Sequence, residues 1–318
     1  MSGFSTGQVV IVTGAGRGIG RAHAITFAKA GASVVVNDLG TDYRGGGISS
    51  GPANEVVQEI TAAGGRAVAS GHDITSPAGA KVIIDTALNA FGDLTAVVNN
   101  AGILRNKPVF DMTLEDMNAV IGVHLMGPFN LTKEAALYWR SQTQAGKKLN
   151  ASIVNTTSVA GLFPSPAFLG GKDISQTSAY APAKAAVAAF TIATSLELKS
   201  FGIRVNAIAP GGRTRMNTDA IADLLGHELP DMRPPPGQFD AFAPENNSAL
   251  VLWLCSAEAK DVTGRVFETG GGRIGVSNGW THGPADRRNG PHDPAELGAI
   301  VRKLLSEAPE AQGMMPPA

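Results

Sequence analysis

The sequence predicts an α/β fold, a doubly wound parallel sheet of about seven strands with helices on both faces. Short runs of Val, Ile and Ala alternate along the chain with longer stretches of helical spacing. The short runs are almost continuously apolar instead of alternating, which is the pattern of strands buried on both faces. Strand–helix alternation with right-handed crossovers then winds such strands into one covered sheet.

The elements follow in order. Residues 9–12 (VVIV) form a strand, followed by a Gly-rich turn and a helix over 21–30. Residues 32–37 (ASVVVN) form the second strand, and 40–52 (GTDYRGGGISSGP) a Gly-rich loop. A helix over 55–63, a strand over 66–70, a helix over 81–91 and a strand over 94–99 come next. Thr113-Leu114-Glu115-Asp116 reads as a capping box opening a helix through about residue 142, and Gly127-Pro128 predicts a kink within it. Residues 152–156 form the fifth strand, 181–200 an Ala-rich helix, 204–209 the sixth strand and 266–268 the seventh. Residues 162–177 and 212–244 read as loops beside the substrate, the second holding Pro234-Pro235-Pro236, with 216–237 as a mobile lid. From 271 the chain reads as loop until a short helix near 294–306, and its last ten or so residues as disordered. No linker divides the chain, so the expectation is a single Rossmann-type domain over 1–270 and a C-terminal extension over 271–318.

Composition narrows the function classes. The chain has 318 residues, with 26 Lys+Arg against 27 Asp+Glu for a net charge of −1. It is 43% hydrophobic and 17% charged, too apolar for a disordered chain and without the basic excess that nucleic-acid binding needs. The lone Cys255 excludes an internal disulfide and a Cys-built zinc site, and no metal is expected. The N-terminus lacks a basic segment followed by an apolar stretch and cleavage site. No run of 18 apolar residues occurs, and the C-terminal MMPPA is not a peroxisomal address. The expectation is a soluble cytoplasmic protein with a small-molecule substrate and neither a nucleic-acid nor a membrane partner.

Gly14, Gly16, Gly18 and Gly20 fall in a strand–turn–helix context. Glycines there let the backbone approach a pyrophosphate while the helix N-terminus offers N–H donors. Arg17 and Ile19 share the turn. Asp38 ends the second strand, 18 residues beyond Gly20, where a carboxylate accepts hydrogen bonds from ribose hydroxyls and repels a 2′-phosphate. It therefore favours NAD over NADP, against the mild counter-signal of Arg17. The alternative for Asp38 is capping of the next helix. Asp73 and Ile74 lie at the same sheet edge. Asp73 either reaches an adenine amino group or caps the helix after it. Asn99, Ala101 and Gly102 close the fourth strand, where open sheets bind ligands. Tyr180 and Lys184 stand one helical turn apart. A nearby ammonium favours the phenolate and so makes the tyrosine a usable acid/base for an alcohol–ketone pair.

These motifs together resemble the short-chain dehydrogenase/reductase family over roughly residues 5–270. The glycine turn, Asn99-Asn100-Ala101-Gly102, Ser158, Tyr180-x-x-x-Lys184 and Asn206-Ala207-Ile208-Ala209-Pro210-Gly211 occur in the family's order. The resemblance implies Tyr180 as acid/base, Lys184 on the cofactor ribose and Ser158 on the substrate oxygen. It places Asn99, Pro210 and Gly211 along the cofactor, and Thr214 at the nicotinamide with its register off by one. VVVNDLG, NNAGILR, GVHLMGPF, LVLWLC and ETGGGRIG are similar to the (3R)-hydroxyacyl-CoA dehydrogenase domain of the type 2 peroxisomal multifunctional enzymes. That likeness implies an NAD-dependent 3-hydroxyacyl-CoA dehydrogenase, with 17β-hydroxysteroids or other bulky secondary alcohols as alternative substrates. A dinucleotide-binding sensor without turnover, and an NADPH-dependent reductase of carrier-bound 3-oxoacyl chains, are readings of other kinds.

The chain departs from the wider family in two ways. His124 stands where many members carry an Asn of the proton relay, and its role is either relay or structural. Twenty-one residues (159–179) separate Ser158 from Tyr180, which leaves Ser165, Ser175 and Ser178 as rivals for the serine role. Arg105, Lys107, Arg213, Arg287 and Arg288 are candidates to meet a CoA phosphate. Small and apolar residues on the helices over 113–142 and 181–200 imply, by the resemblance, a homodimer or homotetramer.

Overall fold

The computed structural model describes residues 3–165, 168–169, 172–173 and 177–309, the two middle pairs as backbone alone. Seven residues of 162–177, including Ser175, and residues 310–318 of the C-terminal stretch expected to be disordered therefore lie outside the described residues.

The strands are β1 (Val9–Thr13), β2 (Ser33–Asn37), β3 (Arg66–Ser70), β4 (Ala96–Asn99) and β5 (Ala151–Thr156), the short β6 (Phe168–Leu169) and β7 (Lys172–Asp173), and β8 (Ile203–Pro210), β9 (Val266–Gly270) and β10 (Arg273–Ser277). Eight of them form one sheet in the order β10-β9-β8-β5-β4-β1-β2-β3, parallel throughout except for β10. The short pair β6–β7 is separate.

The near-continuous apolar runs are explained by two cores, one on each face of the sheet. Val10, Val12, Val34 and Val36 point into one, against Phe27 of α1 (Gly18–Lys29), Val56 of α2 (Gly51–Ala62) and Leu254 of α9 (Ser248–Leu254). Val9, Ile11, Val35 and Val97 point into the other, against Ile83 of α3 (Pro77–Phe91) and Leu131 and Trp139 of α5 (Gly127–Gln144). The buried Trp139 indole donates to the Leu94 carbonyl at 2.6 Å, so its one polar atom is satisfied. Truncating a side chain such as Phe27 or Trp139 costs about 3–5 kcal/mol.

The predicted kink differs in kind. Thr113 and Asp116 do form the capping box that opens α4 (Leu114–Ile121). The helix then widens into a π-turn over Gly122–Met126 before α5 begins at Gly127-Pro128. Pro128 has no N–H for the carbonyl four residues back, at His124, and the Gly127 N–H reaches five residues back to the Gly122 carbonyl. The extra residue in that turn lets the proline sit in a helix without breaking it.

Two further elements lie where the sequence reads as loop, and a third, α9, in a stretch to which the sequence reading gives no element. Helix α8 (Arg215–Leu225) occupies part of the lid region, and α9 lies just beyond it. Strand β10 makes an eighth member of the sheet, pairing antiparallel with β9. Gly271 and Gly272 form the two-residue turn between them, both at positive φ, a hairpin signal hidden inside an apparently flexible glycine run. The remaining helices are α6 (Val159–Leu162), α7 (Tyr180–Leu198) and α10 (Pro294–Glu307). Among the described residues no helix is long and apolar enough to cross a membrane.

Candidate active site

The strand order reverses at β1, which lies between β4 and β2, and the C-terminal ends of these strands open a crevice. A cavity of about 690 Å³ fills it. Gly14, Arg17, Gly18, Ile19, Asp38, Asp73, Ile74, Ala101 and Gly102 line it, as do His124, Ser158, Tyr180, Lys184, Pro210, Gly211 and Thr214. Gly16 and Gly20 of the glycine turn, and Asn99, do not line it.

The glycine turn is folded tightly onto the end of β4. A Cβ on Gly20 would lie 2.2 Å from the Gly14 carbonyl oxygen and 2.4 Å from Asn100 Nδ2, so no other residue fits there. The Asn100 amide donates to the carbonyls of Thr13 (2.9 Å) and Gly14 (3.2 Å), while the backbone N–H groups of Asn100 and Ala101 donate to Thr13 Oγ1. Helix α1 starts at this turn without a side-chain cap and without an acid in its first turn. Its N-terminal N–H groups and positive dipole end thus face the cavity with no side-chain acceptor of their own, which fits the pyrophosphate of a dinucleotide.

Asp38 caps no helix. Its carboxylate accepts the N–H of Gly16 at 2.7 Å and of Gly40 at 2.6 Å, which fixes it on the cavity wall at the end of β2. Asp73 instead binds within its own turn, accepting the Thr75 N–H (2.8 Å) and hydroxyl (2.9 Å), while Ser76 caps α3. Asn99 is buried, donating to Asn155 Oδ1 at 2.8 Å, and Asn155 donates in turn to Thr191 of α7 at 2.9 Å. Its side chain therefore ties β4 to β5 and α7 instead of facing the cavity.

Ser158, Tyr180 and Lys184 converge at one end. Strand β5 delivers Ser158 as the cap residue of α6, and its Oγ accepts the Ala160 N–H at 3.2 Å. The Tyr180 hydroxyl is hydrogen-bonded to Ser158. Lys184 is 3% exposed, and its Nζ lies 5.7 Å from the Tyr180 ring centre while donating to the Thr156 carbonyl at 2.5 Å. Thr157 Oγ1 donates to the Lys184 carbonyl at 2.6 Å, so the end of β5 grips the first turn of α7 twice.

The electrostatics differ from the simple expectation that the ammonium lowers the tyrosine pKa. Burial pushes Tyr180 above its ordinary value, with the Ser158 hydrogen bond acting the other way. The same enclosure pushes Lys184 down to about 7. Both charged forms lose water in the cavity, and each is favoured only when the other is present.

His124, in the π-turn, is 1% exposed and stands edge-on to Tyr180 with ring centres 5.2 Å apart. Its Nε2 meets the Ile103 carbonyl at 2.8 Å and the Ile103 N–H at 3.2 Å. Burial and the nearby Lys184 hold it well below the usual histidine range, so it is neutral. Among the described residues, its buried Nδ1 has no hydrogen-bond partner. The ring thus pins the segment after β4 against the cavity.

The cationic candidates for a CoA phosphate are mostly committed within the chain. Arg105 (2.9 Å) and Lys107 (2.5 Å) both bind the buried Asp116, Arg213 binds Asp240, and Arg288 binds Glu296. Sequence reasoning assigned no role to Tyr43 and Arg44, which line the cavity from the Gly-rich loop, or to Asn118 of α4. The loop's composition was the available signal for the first two; nothing marked the third.

Comparison with known proteins follows the same lines. The short chain dehydrogenase family model matches residues 8–224. Hydroxyacyl-CoA dehydrogenase ChsB1 of Mycobacterium tuberculosis is 38% identical over 308 residues, which are 95% of this chain and 89% of that protein. Peroxisomal multifunctional enzyme type 2 of Mus musculus is 36% identical over 93% of this chain, which spans 34% of that longer protein. A crystal structure of a short chain dehydrogenase from Mycobacterium avium matches with a TM-score of 0.83 at 46% identity, covering 98% of this chain and 99% of the other. The chain belongs to the short-chain dehydrogenase family and is an oxidoreductase acting on CH–OH groups.

Proposed function

We propose that this protein uses NAD to interconvert a secondary alcohol and a ketone, with 3-hydroxyacyl-CoA thioesters as its substrate class. The observation that carries the reading is the Ser158–Tyr180–Lys184 group at one end of a cavity that also contains Asp38. The hydroxyacyl-CoA dehydrogenase name of a relative aligned along nearly the whole chain supports the substrate class.

The glycine turn and the start of α1 hold the pyrophosphate, and Asp38 receives the ribose hydroxyls. When bound, the nicotinamide dinucleotide supplies the hydride-accepting ring. Ser158 and Tyr180 hold the carbinol oxygen between their hydroxyls. Tyr180 takes the hydroxyl proton as the alcohol becomes a ketone and returns it in reduction. Lys184 stabilises the phenolate, because an adjacent cation favours the charged form. Ser158 bonds the oxygen as charge develops on it. His124 acts by holding Ile103 and bracing Tyr180.

The same reading includes self-association. Phe129 and Leu137 of α5 and Ile192 and Leu196 of α7 are large apolar side chains left exposed, Leu196 at 74%. A homodimer or homotetramer with closed symmetry covers them.

Initial rates of NADH formation test the proposal, measured with (3R)- and (3S)-3-hydroxyacyl-CoA and a 17β-hydroxysteroid, each with NAD and with NADP. Turnover of the (3R)-thioester with NAD is expected. Steroid turnover alone would overturn the substrate class, and preference for NADP would overturn the role given to Asp38.

A further inference from the structure

The Gly-rich loop after β2 crosses the cavity mouth and is fastened on both sides. Asp42 Oδ1 accepts the N–H groups of Arg44 and Gly46, both at 2.8 Å, and closes the loop tip on itself. On one side the tip is stitched to the segment after β4. The Leu104 N–H donates to the Tyr43 carbonyl at 2.8 Å, and Arg105 Nε donates to the Arg44 carbonyl at 2.9 Å. Arg105 is itself held by the buried Asp116, so this side is anchored in the body of the domain.

On the other side the tip meets helix α8. Arg44 binds Asp223 at 2.6 Å, and the Tyr43 hydroxyl donates to the same carboxylate oxygen. Arg44 Nε donates to the Tyr43 hydroxyl at 2.7 Å, which fixes both side chains around Asp223. Near the start of the helix, Arg215 donates to the Thr41 carbonyl at 2.9 Å. Helix α8 and the residue before it contribute Thr214, Met216 and Asn217 to the cavity, whereas Asp223 lies outside it.

We infer that Asp223 is a positioning residue: gripped by Tyr43 and Arg44, it holds α8 across the cavity, joining the loop beside Asp38 to the helix that covers the substrate side. The inference rests on the cavity holding dinucleotide and substrate together. Arg44 and Asp223 keep 59% and 52% of their side-chain surface in water, so the pair is weak and sensitive to salt. A weak fastening suits an element that must release product. It also couples the two ends, since whatever orders the loop at Asp38 favours the docked helix.

Hydrogen exchange over residues 215–225 tests this in the full-length protein without any substrate. Asp223→Asn and Arg44→Met should each speed exchange there two- to fivefold, the factor an exposed pair supplies. The double variant should do no more than Asp223→Asn alone, which already removes the charge that Arg44 grips. Raising the ionic strength should reproduce the effect in the parent protein and leave the double variant unmoved. Arg44→Lys, which keeps the charge, should recover part of the protection. With any alcohol that is turned over, the variants should raise KM more than they lower kcat. Unchanged exchange in both single variants, or additive effects in the double, would overturn the inference. NAD-dependent protection of residues 14–20 reads the cofactor assignment separately, so failure of that reading is distinguishable from failure of the fastening.

Discussion

Replacing Gly102 with Ala probes how the segment after β4 is packed against His124 and Tyr180. The added Cβ would lie 2.6 Å from His124 Cε1 and 3.4 Å from both its Nδ1 and the Met216 methyl. His124 has little room to retreat: it is 1% exposed, its Nε2 is tethered to the Ile103 backbone, and the ring stands edge-on to Tyr180. The cost therefore belongs with overpacked cores, about 1–3 kcal/mol. Unfolding entropy of about 2.1 cal/mol/K per residue over 318 residues is about 0.67 kcal/mol/K, so the melting temperature should fall by about 1.5–4.5 °C. Calorimetry measures it. Combining Gly102→Ala with His124→Ala removes the obstacle, and the additional loss from the alanine at 102 should shrink to less than about 0.5 kcal/mol, a coupling of about 0.5–3 kcal/mol. The reasoning fails if Gly102→Ala melts with the parent, or if its full cost persists without the imidazole.

Three more predictions concern cofactor, charge and assembly. In the role proposed for Asp38 its charge repels a 2′-phosphate, so Asp38→Asn should lower the ratio of kcat/KM for NAD over NADP at least tenfold; an unchanged ratio would place the selectivity elsewhere. Folded Lys184 loses its proton near pH 7, whereas the unfolded side chain keeps it to about 10.5. Between those values the unfolded state binds more protons, so stability rises with pH, and below about 7 the penalty is complete. Lys184→Met should accordingly raise the melting temperature most at pH 6 and flatten its rise between pH 7 and 10, as thermal scans across that range would reveal. Leu196→Glu places a charge on the exposed apolar face of α7 and should shift the protein toward monomer in light scattering; an unaltered mass would put the subunit contact elsewhere.

The parts of the site that were legible in the sequence depend on local spacing. Tyr180 and Lys184 share a helix face because they are four residues apart, and the glycine turn sits between a strand and a helix whatever the rest of the chain does. Asp38 and Ser158 follow from being at the ends of strands. What was hidden depends on distant partners. Arg44 and Asp223 are 179 residues apart, and nothing near either marks the other. Asn99 looks like a cavity residue until the register of β4 on β5 sets it opposite Asn155. Arg105 and Lys107 look like free cations until the start of α4 brings Asp116 between them. The π-turn follows from a proline that the sequence shows, but whether a helix bends, breaks or widens there is settled by the packing around it.

The central claim is that Tyr180 transfers the substrate proton, and one comparison tests it most directly. Tyr180→Phe and the parent protein are assayed for NADH formation with (3R)-3-hydroxyacyl-CoA, while NAD binding is followed by calorimetry. Loss of a positioned acid/base should lower kcat by about 10²–10⁴-fold. The affinity for NAD should stay within a fewfold, because the glycine turn and Asp38 are untouched. Turnover by Tyr180→Phe within tenfold of the parent, with NAD binding intact, would contradict the account.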